Sequence, residues 1–463
     1  MSTFVGGIEL ILNRSVSTEK FPYPIIYIIL AISILLARWP AHDSEDIKNL
    51  RNNFESSNPT DFWGGFSALF YGNFPNFYPG WESLLLIFQW ALATAGIIMV
   101  LVNAKKLPVR WSIPLLVILI SLSTLVTRDA LMLSLILFGI GCSFSYKQSD
   151  SKFKSVIIFL SIASIFIASC FRPWVSPAIA ILLLYLFPNF LGPTRRYLRF
   201  STILGFCFIF SISSLGAEII SSKSLQLEKS FPQQQVMMMD LSASACWSTN
   251  QKSVQNSMDG LKYFYSDRKV PDYFCNTFRP TNWIHLFQMD MLTGAQPLFR
   301  LIPLNESQTY KKIQNSWIRN ISQNPVDYIQ TKFMYLSQTF LGGDTRRIHL
   351  LQPDYYADSN RSPLFLVFSA LLLAPLDIVI SLHLLSPIIS IFLIGFFLIW
   401  RIRRNATEEG FNEIFWLAAF QISWVMCTVI AYIGDTARFT YTPGAIVILL
   451  LLHDKASSFK RSV

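Results

Sequence analysis

Four arginines stand beside carboxylates or aromatic residues at the ends of apolar runs. Arg38 precedes Trp39-Pro40-Ala41-His42-Asp43-Ser44-Glu45-Asp46, and Arg128 is followed directly by Asp129. Arg172 stands in Phe171-Arg172-Pro173-Trp174, and Asp435 and Arg438 stand in Gly434-Asp435-Thr436-Ala437-Arg438-Phe439. A guanidinium presents a rigid, permanently charged fork that matches phosphate or pyrophosphate oxygens. A neighbouring carboxylate can hold the fork in place or take a proton as a general base. Each group also has a plainer reading. Arg128 and Asp129 can pair with each other or cap a helix, Arg438 can snorkel to an interface, and Glu45 and Asp46 can line a solvated helix face.

The elements that must position these residues are membrane helices. Hydrophobic residues make up 52% of the 463-residue chain and charged residues 14%, where a soluble domain carries about 25% charged. Residues 22–38, 83–103, 111–127 and 385–400 hold few or no charges, each close to the length a helix needs to cross a bilayer. The expected fold is therefore an all-α polytopic membrane protein of about ten transmembrane helices, near 22–38, 82–103, 111–127, 130–146, 155–171, 174–189, 200–219, 385–400, 412–432 and 442–453. A large, mainly helical outer loop over 220–384 separates an N-terminal membrane module, 1–219, from a C-terminal one, 385–463. Within that loop, 362–381 is interrupted by Pro375 and Asp377 and is read as an interfacial helix.

Orientation follows from the short loops. Lys105, Lys106 and Arg110, then Lys147, Lys152 and Lys154, then Arg195, Arg196 and Arg199 fall on one side, as do Arg401, Arg403, Arg404 and the tail with Lys455, Lys460 and Arg461. Basic loops are retained in the cytoplasm. Both termini are then cytoplasmic, and the first outer loop (39–80), the turns at Arg128 and Arg172 and the segment at Asp435 are periplasmic. Eleven crossings with an outer N-terminus is the alternative, and it puts the early basic loops on the wrong side. The net charge of +10 comes largely from these loops and meets lipid headgroups, so nucleic acid is not expected as a partner. The first apolar run is read as a retained helix, since Trp39-Pro40 occupies the place of a small-residue cleavage site. Cys142, Cys207 and Cys427 lie in apolar runs and Cys170 at the end of one, while Cys246 and Cys275 share the large loop, where an oxidising compartment permits a disulfide between them. No Cys/His spacing has the form of a zinc site.

In order along the chain these motifs resemble those of the C-type glycosyltransferase superfamily, polytopic enzymes that use polyprenyl-phosphate-linked sugars. Such enzymes carry an acid in the first outer loop, here Asp43, and a later Gly-x-Tyr-x-x-x-His-Pro element. Tyr71-Gly72-Asn73-Phe74-Pro75-Asn76-Phe77-Tyr78-Pro79 is similar to that element, with Tyr78 in place of the histidine. Arg128-Asp129 resembles their basic-acidic pair between helices 3 and 4, and Asp435-Thr436-Ala437-Arg438-Phe439 their motif before the last helix. One bacterial branch also has a motif like Met239-Asp240-Leu241-Ser242, followed by a tryptophan (Trp317) and a Pro-x-x-Tyr segment (Pro325-Val326-Asp327-Tyr328).

The resemblance implies a bacterial inner-membrane enzyme that moves a sugar, with inversion, from a polyprenyl-phosphate donor to a hydroxyl of a glycan, lipid or protein acceptor at the periplasmic face. Asp43 would be the general base. Arg172, Arg438 and Arg128 would bind the donor phosphate, with Asp129, Asp435, Asp46, Tyr78 and Asp240 in support. The resemblance assigns no definite cofactor and leaves a divalent cation possible. A polysaccharide polymerase or ligase shares the many helices and the arginine-bearing outer loop and is the alternative. A transporter would show charged or broken helices at the midplane, or inverted repeats, and neither is evident.

Overall fold

In a computed structural model the described residues fall within 23–39, 45–103, 109–148, 153–188, 196–277, 302–340, 367–403, 408–431 and 441–451, with short breaks inside these stretches. The chain is mainly helical over them, with one isolated bridge between Thr60 and Glu228 and no longer strand among the described residues. The helices are α1 (Tyr23–Arg38), α2 (Glu45–Glu55), α3 (Gly65–Gly72), α4 (Trp81–Asn103), α5 (Val109–Ser123), α6 (Arg128–Gln148), α7 (Lys154–Phe171), α8 (Ser176–Leu186) and α9 (Arg196–Ser224). After them come α10 (Gln234–Trp247), α11 (Gln251–Leu261), α12 (Phe274–Thr277), α13 (Ser307–Gln323), α14 (Pro325–Phe340), α15 (Pro387–Arg403), α16 (Glu408–Ala431) and α17 (Tyr441–Leu451).

Five of them, in α4, α6, α7, α9 and α16, are long and apolar enough to cross a membrane, and shorter apolar helices occur at α1, α5, α8, α15 and α17. Each coincides with an apolar segment expected from the sequence. The expected interfacial helix over 362–381 lies largely outside the described residues. Apolar side chains are not confined to inward faces. Leu204, Phe208, Ile209, Ile212, Leu215, Ile219 and Ile220 of α9 all point outward, as they do on a helix whose solvent is lipid.

The bundle is organised around α6. Of the most apolar 18 residues of α6, 83% are buried, against 11% for α9, so α6 is central and α9 peripheral. Small residues let α6 approach its neighbours. A Cβ on Gly141 would lie 2.5 Å from the Gly96 carbonyl oxygen of α4, and one on Gly96 would strike the backbone at Leu137. On the other side the Ser161 hydroxyl of α7 donates to the Gly139 carbonyl at 2.6 Å. Small-residue contacts of this kind replace the hydrophobic driving force that lipid removes.

A second apolar core lies in α10–α14, built from Met237, Met238, Met239, Leu241, Leu261, Phe264, Phe274 and Ile313, and it is completed by Val425 and Val429 of α16. Asn250 caps α11 by accepting from the backbone N–H groups of Lys252 and Ser253. Asn320 of α13 donates to the Ser244 hydroxyl and accepts from Ser253, tying three helices together. Cys246 and Cys275 form a disulfide with Cα atoms 5.1 Å apart, closing α12 onto the end of α10. The expected boundary at residue 219 falls inside α9, which runs on to Ser224 before the loop helices begin at Gln234.

Introducing Leu at Gly141 forces α4 from α6. It should cost about 1–3 kcal/mol, as overpacking of a close-packed core does. Thermal unfolding of the purified chain in detergent reads this, with the lipid-facing Gly205→Leu, where a Cβ meets nothing within 4 Å, as the silent control.

Candidate functional site

Proline dictates the backbone at the centre of the site. Pro173 disfavours helical geometry at the residue before it, and Arg172 takes φ −142°, ψ 74°, ending α7 before a short 3-10 turn, Pro173–Val175, leads into α8. The break turns the Arg172 side chain towards the start of α6. There its Nε donates to Asp129 Oδ1 at 3.0 Å and its Nη2 to Oδ2 at 3.3 Å. Arg172 and Asp129 are both buried, with 6% of each residue exposed. Taking both charges out of water is costly, and the forked geometry is what offsets it. Asp129 also sits in the first turn of α6, where the helix dipole favours a negative charge.

The neighbouring Arg128 remains half-buried at the head of α6. Its charge, with those of Asp129 and Arg172, acts on the Tyr71 hydroxyl. Tyr71 is fully buried, its hydroxyl has no hydrogen-bond partner among the described residues, and burial raises its pKa well above the ordinary phenol value. Tyr71 belongs to α3, whose Phe66 and Phe70 pack edge-on against Phe171, with centroids 5.1 and 5.3 Å apart. The segment carrying α3 is thus clamped to the residue before Arg172.

Glu218 of α9 fixes the other end of α3. Its carboxylate accepts from the backbone N–H of Gly65 and, at 3.0 Å, from that of Phe66. Gly64 holds φ 89°, a left-handed conformation that suits glycine, and Gly65 lies against the backbone of Ser222, so no side chain fits there. Arg128 and Asp61 lie within electrostatic reach of Glu218. The bridge that pairs Thr60 with Glu228, through Asp61 N–H to Glu228 O and Glu228 N–H to Pro59 O (both 2.9 Å), fastens the loop a second time.

A second polar cluster forms inside the loop domain. Asp240 of α10 is fully buried and pairs with Lys332 Nζ at 2.7 Å, while Trp317 Nε1 donates to its other oxygen at 3.0 Å. Tyr328 lies close enough to Asp240 to help hold its carboxyl down, and Lys332 lies 5.4 Å from the Tyr328 ring centroid. Burial pushes the Asp240 carboxyl up, while Lys332, Trp317 and Tyr328 pull it down. Lys332 Nζ reaches beyond the domain to the Val429 carbonyl of α16, at 3.3 Å.

Three of the residues expected in the site, Arg128, Asp129 and Arg172, therefore come together. Asp240, Trp317 and Tyr328, noted from the sequence as separate motif pieces, also meet, in the core of the loop domain rather than around Arg172. Asp46 lies on α2 with its side chain outside the description, and Asp43, Tyr78, Asp435 and Arg438 lie outside the described residues. Arg38 ends α1 and is buried. Sequence reasoning missed Glu218 and Lys332 as site-building residues, and it quoted Tyr71 only as part of the 71–79 motif, with no role. Glu218 carried a usable signal, being an acid within an apolar run that ends at Ser224. No cluster of three or more His, Cys, Asp or Glu with metal-binding geometry occurs among the described residues. Comparison with protein-family models, curated proteins and solved structures gives no match.

Lys332→Met leaves Asp240 buried without its cation and should cost about 3–5 kcal/mol at neutral pH. The loss should shrink on acidification. A carboxyl whose folded pKa is raised binds its proton more tightly in the native state. Its favourable contribution is full below the ordinary carboxylate range and is lost as pH rises through the folded value. Chemical denaturation of the variant between neutral and acid pH checks the sign.

Proposed function

We propose that this chain is a membrane glycosyltransferase, with about ten crossings and its loop domain on the periplasmic face, that moves a sugar from a polyprenyl-phosphate donor to an acceptor hydroxyl. The observation that best supports this reading is the meeting of Arg128, Asp129 and Arg172 where the first outer loop packs on the bundle. An isoprenoid tail requires lipid and its sugar phosphate requires water, and a cationic cluster at the ends of apolar helices suits both.

In this reaction the acceptor O–H loses its proton to the Asp43 carboxylate while its oxygen attacks the anomeric carbon. The bond from that carbon to the phosphate oxygen breaks, and its electron pair leaves with the polyprenyl phosphate. The configuration inverts. Cations aimed at the departing oxygens stabilise the charge that grows there. Asp129 holds one edge of Arg172 and so fixes the direction of its fork. Arg128, half-exposed beside it, meets the donor phosphate, and Arg438 joins from the segment before α17.

Purified full-length chain in lipid nanodiscs, given a polyprenyl-phosphate sugar and a hydroxyl acceptor, tests the reading. Asp43→Asn should lower turnover by about 10²–10⁴-fold, the usual scale of general-base assistance, with donor binding retained. Arg128→Ala should weaken donor binding, and Arg128→Lys should restore only part of it, because a point charge lacks the fork. Full turnover by Asp43→Asn removes Asp43 from the mechanism.

A further inference from the structure

The outer faces of the loop-domain helices differ in kind. α11 exposes Gln251, Lys252 and Gln255, and α13 exposes Gln308, Lys311, Lys312, Asn315 and Arg319, with Ile318 as an isolated apolar residue among them. These are ordinary water-facing surfaces. On α14 the exposed large apolar residues are Val326, Ile329, Phe333 and Met334, with the polar Gln330 and Ser337 exposed among them, and the first three are 64%, 52% and 62% exposed. Positions 326, 329 and 333 fall on one face at helical spacing. The opposite face carries Tyr328, Thr331 and Lys332, which look into the domain. An apolar-rich face beside the water-facing α11 and α13 marks an interaction surface.

The position of α14 identifies what covers that face. Lys332 Nζ bonds the Val429 carbonyl, and the apolar span of α16 ends at Ile430. α14 is therefore fastened at the level where a membrane-crossing helix leaves the hydrocarbon. On α16 itself Phe415, Ile422, Met426 and Ile430 are exposed, so the lipid-facing surface reaches that same level. α14 also packs against α15, which exposes Phe392, Phe396 and Ile399.

We infer that α14 is an interfacial helix that seats Val326, Ile329, Phe333 and Met334 among the phospholipids at the membrane surface, so that the loop domain rests on the bilayer as well as on α16. Amphipathic helices lie this way, apolar face down at the boundary between headgroups and acyl chains. The buried Asp240–Lys332 pair sits on the back of the same helix. Depth in the membrane and the position of the domain core are thereby coupled. Nothing about sugar transfer is needed for this.

Phe333→p-benzoylphenylalanine, Ile329→p-benzoylphenylalanine and a Lys311→p-benzoylphenylalanine control, each in the full-length chain, provide the test. The proteins are placed in vesicles of phosphatidylethanolamine and phosphatidylglycerol, irradiated and analysed by mass spectrometry. Phospholipid adducts at 333 and 329, with none at 311, are the expected result. Absence of lipid adduct at both apolar positions, crosslinking of 333 to a second copy of the chain, or equal lipid capture at 311 overturns the inference. Retention of the Cys246–Cys275 disulfide reports that each variant has folded, and either apolar position alone suffices if the other variant does not fold.

Discussion

The buried pairing of Arg172 with Asp129 is the constraint on which this end of the helix bundle depends. A guanidinium and a carboxylate, each almost fully removed from solvent, persist only if they meet in good geometry, and their geometry requires three things of the chain. α7 must stop at Pro173, α6 must begin at Arg128, and Phe171 must be held so that Arg172 points inward. Each is met by a local device: a proline, a helix start with an acid in its first turn, and the aromatic contacts from α3. Removing one partner strands a charge at a cost of about 3–5 kcal/mol, more than most single contacts contribute.

The same logic recurs at a distance. Glu218 is an acid on a peripheral, largely lipid-facing helix, and it is tolerated because the N-terminus of α3 supplies backbone donors. Asp240 is tolerated because Lys332, Trp317 and Tyr328 surround it. Every one of these acids joins elements far apart in sequence. Glu218 joins α3 to α9, and Asp240 joins α10, α13 and α14 and, through Lys332, the end of α16. Polar pairs thus serve as the fasteners between the apolar helix bundle and the parts that cover one end of it.

Much of the helical framework was legible in the sequence, because lipid demands long apolar runs and a run of that length has one stable form. The position of the break at Arg172 was legible for the same kind of reason, since proline acts locally. Partnership was not legible. Arg128 and Asp129 are adjacent and invited a reading as a pair, and nothing in that adjacency announced that the Asp129 carboxylate also meets Arg172, 43 residues on. Only the packing of α6 against α7 brings Arg172 to that acid. Trp317 and Tyr328 were read with Asp240 as motif pieces, but Lys332, the partner that balances the charge, had no local signature. The apolar stripe on α14 was hidden among aromatics that, at the level of sequence, could equally have faced the domain core.

The central claim is that the Arg172–Asp129 pair orients a cation for the donor phosphate rather than serving stability alone. A double-mutant cycle on the full-length chain separates the two. Arg172→Met and Asp129→Leu should each destabilise the protein, and the double variant should recover most of that loss, because an apolar pair of similar volume replaces a buried ion pair at little net cost. The measurement is donor binding and transfer by that stability-restored double variant, with a polyprenyl-phosphate sugar in nanodiscs. The account predicts a folded protein in which transfer stays lost. Wild-type transfer by the double variant would contradict it and leave the pair a structural fastener.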